Sequence, residues 1–191
     1  LKNDWPFTKP ASNAEVLREL DMKTEMDTLA MKVIESSIPW EQAHRIMAQR
    51  YLREGNLDLY TSEMLDLMDQ FPMIESYYKN SAEVLIERKK YDYAYRILKK
   101  EYEYLPDAFS TKWLGIIDLS RKNLNSAEKY LNESLSYTGN DAQVLFNLAG
   151  AYAMQNKFDK ALDSINKCIE TDPQFPGAAN LKQQLTTIIN R

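Results

Sequence analysis

Apolar residues in the C-terminal part of the chain recur at helical spacing. Over 142–155, Val144, Leu145, Leu148, Ala149 and Tyr152 share one stripe, and the spacing predicts a helix there. Asn140-Asp141 just ahead offers side-chain oxygens for an N-cap, and Asn156-Lys157 breaks the pattern. It resumes over 158–171 at Ala161, Leu162, Ile165, Cys168 and Ile169. Asp172-Pro173 ends this second helix, because the residue before a proline is steered out of the α region. Residues 108–141 read the same way, with Trp113, Leu114 and Ile117 on a first helix and Ala127, Leu131 and Leu135 on a second.

This helix pair is one unit of a repeat. Pro72, Pro106, Gly139 and Pro173 stand 34, 33 and 34 residues apart. The same steps connect Ala48, Ala82, Gly115 and Ala149, and likewise Tyr60, Ala94, Ala127 and Ala161. They connect Leu57, Tyr91, Leu124 and Phe158, and Met64, Leu98, Leu131 and Ile165. Five columns keep one period through a single-residue deletion, which makes four units: 41–74, 75–107, 108–141 and 142–175. Residues 176–190 read as a further first helix without its partner, a C-terminal cap. Small residues in two columns let the helices of a unit cross at about 8–10 Å. No unit can bury its apolar face alone, so the units must stack.

The N-terminal forty residues stand outside the period. Residues 1–13 contain Trp5-Pro6-Phe7 and Pro10 and read as an extended strap. Ser12-Asn13-Ala14-Glu15 has capping-box spacing. A helix is expected over about 14–36, within an N-terminal capping segment 14–38 that Pro39 separates from the first unit. Trp5 and Phe7 also fit the edge of a preceding domain, and the two readings are compatible.

With this period and these columns, the chain resembles the tetratricopeptide repeat family over 41–175. The unit 142–175 carries the resemblance best, through Leu148-Ala149, Tyr152, Ala161, Ile165, Cys168 and Pro173. The unit 108–141 carries it through Leu114-Gly115, Ala127 and Leu131, whereas the second unit departs at Ser81 and Glu101 and the first at Tyr60. The resemblance implies an all-α fold: a right-handed α-α superhelix, or solenoid, of helix-turn-helix repeats with terminal capping helices. It also implies that the first helices line a concave groove for a peptide or partner protein. The lining positions would include Gln42, Arg45, Gln49 and Arg53, then Lys79 and Glu83. They continue with Phe109, Lys112 and Ile116, and with Gln143, Phe146, Asn147 and Met154. The early positions are charged and the late ones more apolar, so an extended ligand with an acidic end and an apolar end is expected. One subset of the family clamps a C-terminal carboxylate. Lys112 and Asn147 match two of its positions, but Ile116, Gly177 and Leu181 replace the others, which argues against that ligand.

Composition narrows the chemistry. One cysteine excludes an internal disulfide, and one cysteine with one histidine cannot build the usual zinc site. Five glycines and seven prolines are too few for an all-β fold, and neither G-x-G-x-x-G nor G-x-x-x-x-G-K-[ST] occurs. With 24 Lys+Arg against 28 Asp+Glu, the net charge of −4 gives no overall footprint for nucleic acid. No apolar run approaches the roughly 18 residues of a membrane span. His44 is expected to be a structural, partly buried residue, and Cys168 a small core residue in a column that is usually alanine in the family. Glu101 and Glu103 are expected on the charged surface of a helix, and Arg88-Lys89-Lys90 in a solvated inter-helix turn. Asn132-Glu133-Ser134 fits a glycosylation acceptor but falls in mid-helix. No catalytic residue, metal ligand or cofactor is expected.

These readings lead to a non-catalytic protein–protein interaction scaffold. The alternative is a C-terminal accessory or interaction domain of a larger, secreted hydrolase whose catalytic part lies outside this chain. The start at Leu1 and the Trp5-Pro6-Phe7 edge motivate it. Self-association through the ends of the array is a third expectation. The partner expected is a protein or peptide, not nucleic acid. A soluble chain is expected, either cytoplasmic or, after signal removal, extracytoplasmic, and the lone cysteine leaves the compartment open.

Overall fold

The computed structural model describes residues 13–35 and 41–190, with side chains from Met22 onward. The strap with Trp5 and Phe7, the capping oxygen of Ser12, and Pro39 lie outside the described residues. Among the described residues there are ten α-helices and no strand. They are α1 (Asn13–Glu35), α2 (Glu41–Glu54), α3 (Leu57–Gln70), α4 (Glu75–Glu87) and α5 (Tyr91–Tyr104), followed by α6 (Ala108–Ser120), α7 (Leu124–Thr138), α8 (Ala142–Met154), α9 (Phe158–Thr171) and α10 (Ala178–Ile189). The all-α, helix-turn-helix repeat fold expected from the sequence is the fold observed. None of these helices is long and apolar enough to cross a membrane. The chain divides into two compact units, one reaching to Phe71 and the other beginning at Pro72.

In the first unit, α2 packs on α1 and on α3. Ala30 of α1 is buried against Ala43 and Met47 of α2, with Val33, Ile34, Ile46 and Tyr51 around them. Tyr60, Met64, Leu67 and Met68 form the buried stripe of α3. Asn56 caps that helix, its side chain accepting from the Leu59 N–H at 3.2 Å.

In the second unit, α4 pairs with α5, α6 with α7 and α8 with α9, and α10 packs on α9. The small columns lie at the crossings: Ala82, Ala94, Ala127, Ala149 and Ala161 are all fully buried. Gly115 marks the closest approach, because a Cβ there would stand 2.6 Å from Leu131 Cγ and 3.1 Å from the Leu131 backbone nitrogen. Around these crossings, Leu131, Val144, Leu145, Leu148, Tyr152, Ile165 and Leu185 form a continuous core. Asp107 and Asp141 cap α6 and α8 by accepting from the N–H of Ser110 at 2.7 Å and of Val144 at 3.0 Å.

The chain reverses between the two helices of each pair through one left-handed residue. Gly55 holds it in the first unit with φ 74°, and Lys89, Lys122 and Asn156 hold it in the second with φ 57°, 62° and 58°. These positions keep the period of the repeat, so the backbone repeats where the side chains do not.

Two helical glycines should respond oppositely to substitution. Gly115→Leu should lower unfolding free energy by about 1–3 kcal/mol through overpacking against Leu131. Gly150 is also helical, but a Cβ there meets only Leu119 Cδ2, at 3.9 Å. Gly150→Ala should therefore raise stability by about 0.5–1 kcal/mol. Urea denaturation of the two variants checks both signs.

Candidate functional site

In the second unit, the first helices of successive pairs place the expected residues on one face. α6 carries Phe109, Lys112 and Ile116 at i, i+3 and i+7, and α8, packed directly against it, carries Gln143, Phe146 and Asn147. All six side chains are half-buried. On α4, Glu83 is half-buried and Lys79 exposed, and at the end of α8 Met154 is 47% exposed.

Internal contacts hold much of this face in place. Lys79 Nζ stands 5.8 Å from the centroid of the Phe109 ring, so a cation from α4 covers an aromatic face on α6. Lys112 Nζ is 2.8 Å from Asp141 Oδ2, the same carboxylate that caps α8. Burial pushes the Asp141 carboxyl up, but the Lys112 ammonium and the Val144 N–H outweigh it and hold the group below its ordinary value. Lys112 is thus a strut from α6 to the start of α8, with its charge already met. The Asn147 side-chain amide donates to the Gln143 carbonyl at 2.7 Å. Phe146 lies 5.2 Å, centroid to centroid, from Phe175, and Ile116 packs against the same core. The face therefore offers half-open aromatic and aliphatic side chains beside amides, with charge concentrated at α4.

In the first unit, Arg45, Gln49 and Arg53 share one face of α2 with Gln42 and Ile46. Together with Lys23, Met26 and Asp27 of α1 they line a concavity of about 310 Å³. Arg53 Nη2 is 3.6 Å from Asp27 Oδ2, and Arg45 Nη1 is 3.5 Å from Glu41 Oε1. Among the described residues no group of three or more His, Cys, Asp or Glu side chains could hold a metal ion.

His44 and Cys168 take packing roles. His44 is 6% exposed, with Nδ1 2.6 Å from Glu63 Oε1 and Nε2 3.0 Å from Gln70 Nε2. An amide nitrogen only donates, so Nε2 accepts and the ring proton is assigned to Nδ1, which donates to Glu63. Burial pushes the Glu63 carboxyl up despite this bond. The Cys168 thiol is buried and donates to the Ala142 carbonyl at 3.2 Å.

Glu101 corrects an expectation. Far from lying on a charged surface, it is 0% exposed, and neither carboxyl oxygen has a hydrogen-bond partner. The reason is register: with Ala94, Ile97 and Leu98 it completes the buried stripe of α5. The repeat supplied the signal, since Glu101 shares a column with Leu67, Ser134 and Cys168, all buried. Ser134 and Cys168 reach the carbonyls of Ala108 and Ala142, at 3.1 and 3.2 Å, but Glu101 makes no such bond. Burial, reinforced by Asp107, Glu75 and Glu83 and opposed by Lys79, pushes its carboxyl up to about 8.

The tetratricopeptide repeat family model matches residues 142–175. No curated protein matches the chain in sequence. Among solved structures, YrrB, a TPR protein with an unusual peptide-binding site, matches with a TM-score of 0.63 at 16% identity, covering 84% of this chain and 84% of its own. MamA 41-end from Desulfovibrio magneticus RS-1 matches with 0.62 at 16% identity over 78% of this chain and 85% of its own. The first TPR of Spaghetti (RPAP3), bound to the HSP90 peptide SRMEEVD, matches with 0.56 at 16% identity over 60% of this chain and 91% of its own. At these identities the shared property is the fold.

Glu101 makes a pH-dependent prediction. Its carboxyl binds a proton more tightly folded than unfolded, so its contribution is complete below about pH 4.5 and is lost as pH rises through about 8. Between pH 5 and 8.5 stability should fall on this account, by at most about 1.4 kcal/mol for each pH unit between the unfolded and folded values. Glu101→Ala should show a flatter profile over that window in denaturant titrations. A variant that tracks the parent at every pH would contradict the assignment.

Proposed function

We propose that this chain, a tetratricopeptide repeat protein in its fold and in residues 142–175, is a non-catalytic protein-interaction scaffold. In the second unit its ligand is an extended peptide segment lying along α4, α6 and α8. The observation that carries the reading is the row of half-buried Phe109, Ile116 and Phe146 on the first-helix face, apolar surface that the paired second helices leave open. YrrB and the RPAP3 repeat domain, structures of the same fold, are described with a peptide-binding site and with a bound peptide, which supports the class of ligand. Lys112 is engaged with Asp141 and takes no part as an anion clamp. The apolar side chains and the amides of Gln143 and Asn147 bind instead, the first by burial and the second by hydrogen bonds to the ligand backbone.

We further propose the domain organisation read from the period: four repeats over 41–175, with α1 and α10 as caps. The exposed Ile188 and Ile189 near the end of α10 favour self-association through that cap as a second reading. Sedimentation equilibrium of the chain and of Ile188→Glu tests it, with a concentration-dependent mass expected for the parent alone.

The scaffold reading is tested by selecting peptides from a random displayed library on the immobilised full chain. Selected peptides should lose at least about tenfold in affinity for Phe109→Asp or Met154→Asp, a loss of about 1.4 kcal/mol or more. Peptides that bind both variants like the parent would overturn the placement of the ligand.

A further inference from the structure

We propose that the first unit carries a docking groove between α1 and α2 for an acidic amphipathic helix of a partner protein. This rests on the scaffold reading and assigns one class of partner to one unit.

α1 is apolar over a wider stripe than α2 covers. Ala30 is buried, and Val33 and Ile34 pack with it against α2. Along the flank of that stripe, Met22, Met26 and Leu29 recur at i, i+4 and i+7 and are 56%, 43% and 57% exposed. A helix with a single neighbour keeps its large apolar residues beneath that neighbour. Three such residues left in line make a second contact face roughly 10 Å long. Two concavities of about 310 and 340 Å³ adjoin it and share Met26, Gln42 and Ile46. Flexible methionine side chains let such a face re-pack around an incoming helix.

The charge on the walls selects the occupant. Arg45 and Arg53 of α2 line the larger concavity together with one carboxylate, Asp27. Asp27 is already met by Arg50 at 3.9 Å and Arg53 at 3.6 Å. Arg45 contacts Glu41 at 3.5 Å with both side chains exposed, a pairing weak enough to be exchanged for a ligand carboxylate at little cost. A helix with apolar residues on one stripe and Asp or Glu beside it fills the groove and meets these cations. A basic helix sets like charges together, and so does a second copy placed face to face by a two-fold axis.

The probe is a fluorescein-labelled peptide of about 15 residues, with Leu at i, i+3, i+4 and i+7 and Glu at the flanking positions. Its partner probe has Lys in place of every Glu. Anisotropy with the full chain should saturate for the acidic peptide and be at least tenfold weaker for the basic one. Amide shifts in a 15N-labelled chain should cluster around Met26 and Ile46. Arg45→Glu and Met26→Asp, each matched to the parent in far-UV spectrum and denaturation midpoint, should weaken the acidic peptide at least tenfold, and Arg45→Glu should strengthen the basic one. Equal binding of the two peptides would refute the inference. Shifts confined to α4–α8, or no shift in either unit, would refute it and leave the scaffold reading to the library selection. A concentration-dependent dimer abolished by Met26→Asp would make the occupant a second copy and also overturn it.

Discussion

The closeness with which paired helices cross governs this molecule. At Gly115 the backbone of α6 lies so near Leu131 of α7 that a single added carbon would sit 2.6 Å from Leu131 Cγ. The alanines at the corresponding crossings, fully buried, meet the same constraint with one methyl group each. Crossings this tight bring the large apolar residues of both helices to one side, where Leu131, Leu148 and Ile165 close the core. They also mean that a second helix covers only part of its first helix. What it leaves uncovered in the second unit is the half-buried face of Phe109, Ile116 and Phe146, so the open surface follows from the packing.

Glu101 tests that account from inside. Its column holds leucine, serine and cysteine elsewhere, and the polar members are short enough to reach a carbonyl on the neighbouring helix. Glutamate carries its polar atoms further from the backbone and finds no donor or acceptor among the side chains around it. The chain accommodates it as the neutral acid, which is cheaper than a carboxylate enclosed with Glu75, Glu83 and Asp107 in reach. The second helix pair therefore carries a buried carboxyl whose ionisation costs stability as pH rises, where the pairs with Ser134 and Cys168 hold no carboxyl in that position.

The parts of this structure legible in the sequence are those imposed by sterics. Ala82, Gly115 and Ala149 must be small wherever the helices cross, and Asp141 or Asp172-Pro173 must start or stop a helix through its own backbone chemistry, so each residue reports its position directly. The parts that were hidden depend on which side chains meet across elements. Nothing local to Lys112 distinguishes a solvated lysine from a strut to Asp141, 29 residues on. Lys79 likewise gives no sign that its ammonium covers Phe109. Lys89 and Lys122 hide left-handed backbone because the turn selects them by position and not by type. Glu101 lies between these cases: its own chemistry pointed to the surface, its column pointed to the core, and burial followed the column.

The two units also differ in how their open faces are prepared. In the second, Lys112 and Asp141 meet at 2.8 Å with both side chains substantially covered, and Phe146 leans on Phe175. A ligand arriving there orders few side chains, and the affinity it gains comes from burial without a large entropic charge. In the first, the groove-lining Arg45 and Arg53 contact their partners at 3.5 and 3.6 Å, and the apolar flank of α1 is largely methionine. If that groove docks a partner as proposed, such a surface would order on binding and so forgo some affinity while tolerating variation in the ligand. A single repeat architecture thus supports one face set rigidly and one left adaptable, and the difference lies entirely in residues that the crossing constraint leaves free to vary.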